Sequence, residues 1–287
     1  MGKRIEEKTS ITAQMTCLIR ALSYYEKDWV YSSQDYIAAA FLHPILNFLV
    51  KFNIFRSIYK YLAPKGIYEY VIARTKYIDE VFEKEGERFQ QILLFGAGFD
   101  TRSIRFQNRL RNSSFYELDS PATQHTKLQR LVEKNIAIPS NAVFIPIDFQ
   151  KESISQKLVE YGFQKNRVCF FLLEGLTMYL DARAIDATFK LISDFAGKGS
   201  LIVFDYVHKS VIAHEDKYAG EKELSGLVSA FGEKWSYGFE RGEIGGFLSQ
   251  YGLYLEEEAD SQILEKRFFA KDNSHVNETH SIIAARK

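Results

Sequence analysis

The apolar residues of this chain change their spacing near residue 90. From Ile11 to about Glu85 they recur with the period of a helix. From Gln91 onward, short apolar runs alternate with amphipathic stretches, the pattern of βαβ units around a mainly parallel sheet. Five runs lead: Ile92 to Phe95, Phe115 to Leu118, Val143 to Ile147, Val168 to Leu173 and Leu201 to Phe204. The first, fourth and fifth are apolar on both alternating faces, as strands covered on both sides must be. Pro146 cannot donate to a ladder, which puts the third strand at or near an edge. Leu253 to Leu255 and Ser281 to Ala284 supply two late strands, expected as an antiparallel hairpin at the other edge. Ser120-Pro121 reads as a helix cap with proline in the first turn, and Asp181 to Phe195 as the next helix. No linker divides the chain. A single domain over 1–287 is expected, with a helical cap over 1–85 and an α/β core over 86–287.

Lys and Arg total 37 and so do Asp and Glu, so the formal net charge is zero. Such a chain has no global field to hold a polyanion, which argues against nucleic acid. Aromatic residues reach 15%, favouring a large core or a broad apolar pocket. Cys17 and Cys169 cannot build a disulfide framework, and Cys169 reads as a small buried hydrophobe. The basic N-terminus, Met1 to Lys8, has no apolar stretch behind it and is not a secretory signal. The longest apolar segment, Ile37 to Val50, is broken by His43, Pro44 and Asn47 and is too short to span a bilayer. A soluble, cytoplasmic protein is expected, with no membrane partner. Residues 37–63 read as a lid over an apolar substrate or as a dimer surface.

In an open parallel sheet, ligands bind beyond the carboxyl ends of the strands. Here a carboxylate follows each of the five leading strands: Asp100 after Gly96-Ala97-Gly98, then Asp119, Asp148, Glu174 and Asp205. Clustered carboxylates repel one another unless a ligand or partner offsets them. The glycine turn lets backbone approach a ligand, and Asp119 can accept both hydroxyls of a ribose. A dinucleotide site needs a third glycine where Thr101 stands, and Asp100 would face the phosphates, so an NAD-linked dehydrogenase is disfavoured. S-adenosylmethionine, with a ribose, an adenine, a sulfonium and no phosphate, suits an acidic site better. Asp148 and Phe149 then fall on the adenine side, a helix cap being the plain alternative for Asp148. Glu174 should be largely buried, with the cofactor ammonium or ribose as its partner or, failing that, a hydrogen bond to the next loop. Arg74 falls on the apolar stripe of the helix Ile67 to Glu85 and needs an anion. The cofactor carboxylate is one choice and an ion pair to Asp79 or Asp100 the other.

Several segments resemble one family. Ile92-Leu-Leu-Phe-Gly-Ala-Gly-Phe-Asp-Thr-Arg102 is similar to the first motif of the leucine carboxyl methyltransferases, which include bacterial polyketide-type O-methyltransferases. Ala73 to Asp79, Tyr116 to Pro121 and Leu173 to Leu180 resemble three further motifs, with weaker echoes at Ser33 to Ala38 and Trp235 to Phe239. Phe95 and Ser120 depart from the usual aliphatic residues. The resemblance implies a Rossmann-like class I methyltransferase: a seven-stranded, mostly parallel sheet with the last strand or strands antiparallel and helices on both faces. It implies that Arg74 holds the cofactor carboxylate, Gly96 and Gly98 the amino-acid moiety, Asp119 the ribose, Asp148 and Phe149 the adenine side, and Glu174 the amino group.

A carboxylate acceptor is ionised near neutral pH and needs only alignment, whereas a phenol, with a pKa of about 10, needs a base. His208 is the nearest candidate, with His214 on the same loop, but ordinary loop histidines are the simpler reading. Their spacing is not that of a metal site. Tyr179, Tyr206 and Trp235 are candidates for the acceptor pocket. The expectation is O-methylation of a small-molecule carboxylic acid, with phenol or hydroxyl methylation, and more remotely a non-catalytic binding protein, as rivals.

Overall fold

The computed structural model describes residues 10–149, 151–230, 232–272 and 274–287; the N-terminal segment Met1 to Lys8 lies outside them. Before residue 90 the chain is helical, as its period requires. Helix α1 spans Ile11–Tyr24, with the Ser10 hydroxyl accepting the Ala13 amide. Helix α2 (Pro44–Leu49) starts on its proline, α3 covers Asn53–Leu62, and α4 covers Ile67–Glu85. Strand β1 (Gln91–Phe95) is followed by the short α5 (Arg102–Arg105), β2 (Ser114–Asp119), α6 (Pro121–Glu133), β3 (Ala142–Pro146), α7 (Ile154–Glu160) and β4 (Cys169–Leu173). Then come α8 (Ala182–Phe195), β5 (Leu201–Val207), α9 (Lys209–Ile212), α10 (Glu221–Ala230), α11 (Ile244–Ser249), β6 (Tyr254–Ala259), α12 (Ser261–Phe268) and β7 (His280–Arg286). Ser120 caps α6 and Asp181 caps α8, each side chain accepting an amide three residues on.

The strand order is β3-β2-β1-β4-β5-β7-β6. Six strands run parallel, and β7 enters antiparallel between β5 and β6. The last two strands do pair antiparallel at one edge, but α12 separates them, so they are not a tight hairpin. Strand β3 is the opposite edge, where Pro146 costs no ladder bond on its outer side.

The side-chain period of two splits each central strand between two cores. On β1, Ile92 and Leu94 join a cluster with Leu22, Ile78 and Phe82 of the N-terminal helices, so residues before 85 share the core of the sheet. Leu93 and Phe95 face the other side, against Ile185, Phe189 and Ile192 of α8. Cys17 and Cys169 are buried, and burial pushes both thiols up to about 11. No helix among the described residues is long and apolar enough to cross a membrane.

Candidate functional site

Parallel register brings the ends of β1, β2, β4 and β5 to one edge of the sheet, with Phe95 opposite Leu118 and Leu173 opposite Phe204. After β1 the backbone turns back at once. Gly96 and Gly98 have φ of 57° and 51°, the left-handed region in which a Cβ is strained. At the end of β2 the Asp119 carboxylate accepts the Gly98 amide at 2.5 Å and the Ser120 amide at 2.6 Å, tying the two strand ends together. Burial raises the Asp119 pKa, and those amides offset the shift only in part.

Above this edge opens a cavity of about 1130 Å³. Its lining includes Gly96, Gly98, Asp119, Phe149, Glu174 and Arg74. It also includes an apolar set, Met15, Ile19, Leu62, Met178, Leu227 and Val228, together with Tyr179 and Trp235.

Guanidinium groups offset the clustered carboxylates. Arg74 donates to Asp205 at 2.5 Å and faces Glu174 at 3.1 Å. The expected alternative, a pair with Asp79 or Asp100, is corrected: Arg102, fully buried, takes both of those and also Glu174 at 2.7 Å. Arg105 adds a second contact to Asp79 at 2.7 Å, and Arg20 pairs with Asp35 at 2.8 Å. Burial alone would raise the Asp100 carboxyl, but Arg102 and Arg20 outweigh it and hold it at about 2. Glu174 is less enclosed than its apolar neighbours suggest, with a side chain 15% exposed toward the cavity and two arginines as partners. Asp205 is the residue that sequence reasoning left without a role. It accepts Arg74, the Tyr70 hydroxyl at 2.9 Å and the Gly175 amide at 2.6 Å, and so fixes the floor of the site.

Three of the residues singled out in the sequence lie outside the cavity lining, which for His208 agrees with its simpler reading as an ordinary loop histidine. Asp148 does not line the cavity; its carboxylate lies 2.8 Å from Lys151 at the edge, and Ser153 itself caps α7. Tyr206 alternates with Asp205 on β5 and so points to the opposite face, where it packs on Phe239 and donates to Glu258 at 2.6 Å. His208 is likewise buried away from the cavity, and burial lowers its pKa to about 4. The histidine that does reach the cavity is His280, stacked on Tyr70 at 4.5 Å. Its signal was the direction of β7: an antiparallel strand begins where its parallel neighbours end, and His280 pairs with Val207. Burial and the nearby Arg74 hold His280 well below its ordinary pKa, so it is neutral.

The family model described as leucine carboxyl methyltransferase matches residues 13–193, the family that the motifs resemble. A candidate S-adenosyl-L-methionine-dependent methyltransferase of Bacillus subtilis (strain 168), YktD, is 30% identical over 237 residues, covering 80% of this chain and 77% of that protein. A candidate methyltransferase of the same description from Mycobacterium tuberculosis (strain H37Rv) is 31% identical over 133 residues, 46% of this chain and 42% of that protein. Among solved structures, an O-methyltransferase family protein from Burkholderia thailandensis aligns with a TM-score of 0.50 at 12% identity, over 89% of this chain and 73% of that one; that likeness speaks to the fold alone. S-adenosylmethionine is the cofactor, and the glycine turn, the acidic strand ends and the size of the cavity fit it. The NAD-linked reading is thereby set aside, and the chain belongs to the leucine carboxyl methyltransferase family of S-adenosylmethionine-dependent methyltransferases.

Proposed function

We propose that this methyltransferase esterifies the carboxylate of a small molecule. The cofactor supplies an electrophilic methyl on a sulfonium; the chain's own residues bind, orient and exclude water. Asp119 holds the ribose hydroxyls. The edge of Arg74 not engaged by Asp205 and Glu174 takes the carboxylate of the methionine moiety. Gly96 and Gly98 admit its backbone, Glu174 meets its ammonium, and Phe149 packs on the adenine. Asp148, at the rim, reaches the adenine amino group only if it leaves Lys151. Tyr179 and Trp235 shape the acceptor end.

One observation carries the choice of acceptor: the groups at that end are poor bases. Burial pushes the Tyr179 hydroxyl up to about 12, and His280 is too weakly basic to draw the proton from a phenol. Glu233 is engaged with the first turn of α1, accepting the Ser10 hydroxyl at 3.0 Å and both the amide and hydroxyl of Thr12. An ionised carboxylate needs no base, so alignment and desolvation suffice. The family's own description, a carboxyl methyltransferase, agrees.

The test is the bond formed. With methyl-labelled cofactor and a panel of carboxylic acids and phenols, the product should release volatile methanol in alkali, as an ester does. An alkali-stable product would point to an ether and to hydroxyl methylation, with His280 as the residue to examine. In the same assay, His208→Ala should leave turnover at saturating cofactor unchanged, because the ring lies outside the cavity. A steep fall with the fold intact would contradict the base-free reading.

A further inference from the structure

The segment from α2 to the end of α3 is amphipathic in the wrong sense for a helix packed in water. On α3, Ile54, Ile58, Tyr61 and Leu62 form one face and all point outward, Ile54 at 76% and Tyr61 at 88% exposure. The cations lie on the inner side: Arg56 is buried against the carbonyls of Val50 and Lys51, and Lys60 pairs with Glu69 at 3.2 Å. Ile45, Phe48 and Phe52 extend the exposed face along the chain, the two phenylalanine rings 4.9 Å apart. At roughly 200 Å² per large side chain, these residues leave on the order of 900 Å² of apolar surface in water. Soluble monomers rarely expose a contiguous patch above a few hundred Å².

Charge says what covers it. Between Tyr36 and Tyr68 there is no Asp or Glu, whereas Lys51 and Lys65 are exposed on either side of α3. Beside Tyr61 lies a groove of about 570 Å³ that gathers Lys60, Lys65 and His275 around Ser57, with Glu69 on Lys60 and Glu265 3.7 Å from His275. Pairing of this face with itself across a two-fold would bring cations together with no carboxylate of the segment to meet them. An apolar face flanked by cations fits an anionic bilayer surface. The same helix end, Leu62 to Pro64, also lines the cavity, so the face and the cavity are continuous.

We propose that residues 44–65 dock in the plane of an anionic lipid surface, lipid phosphate entering the Lys60–Lys65 groove, and that the methyl acceptor is an amphiphile taken from that surface. The second half rests on the methyltransferase reading; the docking does not. In-plane docking requires no spanning helix. The wild-type protein should co-sediment with phosphatidylcholine vesicles containing phosphatidylglycerol, less so as salt is raised. Ile54→Glu combined with Tyr61→Glu, both outside the cavity lining, should lower the bound fraction by roughly tenfold or more. Calorimetry with S-adenosylhomocysteine checks that the variant keeps its fold and cofactor site. Three results would overturn the docking: no sedimentation of the wild type, equal sedimentation with pure phosphatidylcholine, or a wild-type dimer that the double variant dissociates. Loss of S-adenosylhomocysteine binding by the wild type would instead strike the cofactor site, independently of the vesicles.

Discussion

Replacing Asp119 with alanine should weaken S-adenosylhomocysteine binding by at least about 100-fold, read by calorimetry, with the circular dichroism spectrum retained. The carboxylate is positioned by the Gly98 and Ser120 amides at 2.5 and 2.6 Å, so its free lone pairs are aimed before any ligand arrives. Hydrogen bonds to a charged group contribute about 1.5–3 kcal/mol each. Two ribose hydroxyls therefore account for two or more factors of ten, at about 1.4 kcal/mol per factor. Acidification should act in the same direction. Burial raises the Asp119 pKa, so protonation sets in above the ordinary carboxylate midpoint of about 4 and removes an acceptor. Affinity should fall as pH falls through that range, and Asp119→Asn, already neutral, should flatten the dependence. Unchanged affinity in the alanine variant would remove Asp119 from the cofactor site.

Arg102→Ala should produce the largest loss of stability of any single change at the strand ends. The side chain is fully buried and meets Asp79, Asp100 and Glu174. Two of these keep another guanidinium, Arg105 for Asp79 and Arg74 for Glu174. Asp100 keeps no guanidinium in direct contact, only the backbone amide of residue 102 at 2.7 Å, and its carboxyl sits at about 2, against the effect of burial, because of Arg102 first and Arg20 second. Removing one partner of a buried pair costs about 3–5 kcal/mol, since an uncompensated charge remains in the core. For a chain of this size, that corresponds to a fall of order 10 °C in melting temperature. Arg88→Ala is the control. Its pair with Glu85 is solvated, with the arginine side chain 62% exposed, and contributes less than about 1 kcal/mol. If the two variants melted together, the buried network would not be holding the strand ends.

Much of this molecule is legible as pattern. The seven strands lie within a residue or two of the apolar runs, except that β5 and β6 run longer, because alternation and continuous apolarity are local signals. The caps at Ser120 and Asp181 are legible for the same reason. The glycine turn and Asp119 fall into place because parallel topology dictates where strand ends go. What could not be read is which acid meets which base. Glu174 and Arg74 are both visible as outliers, yet the meeting of Arg74 with Glu174 and with Asp205 depends on the β4–β5 register and on where α4 packs. Arg102 was in plain view, two residues after Asp100, but an arginine at a helix start reads as surface until packing buries it.

Face assignment divides the readings that hold from those that fail. Asp205, Tyr206 and His208 are near neighbours in sequence, but a strand sends alternate side chains to opposite faces. That geometry put Asp205 under the site and took Tyr206 away from the cavity, along with the nearby His208. His280, 72 residues beyond His208, came in because β7 runs backward. The sequence by itself determined the element types, the parallel core, the glycine turn and the family, since these rest on local spacing and on contiguous motifs. The tertiary structure alone decided the ion-pair partners, the cavity and the outward face of α3. Those depend on residues far apart in the chain meeting at one end of a sheet, which no local period encodes.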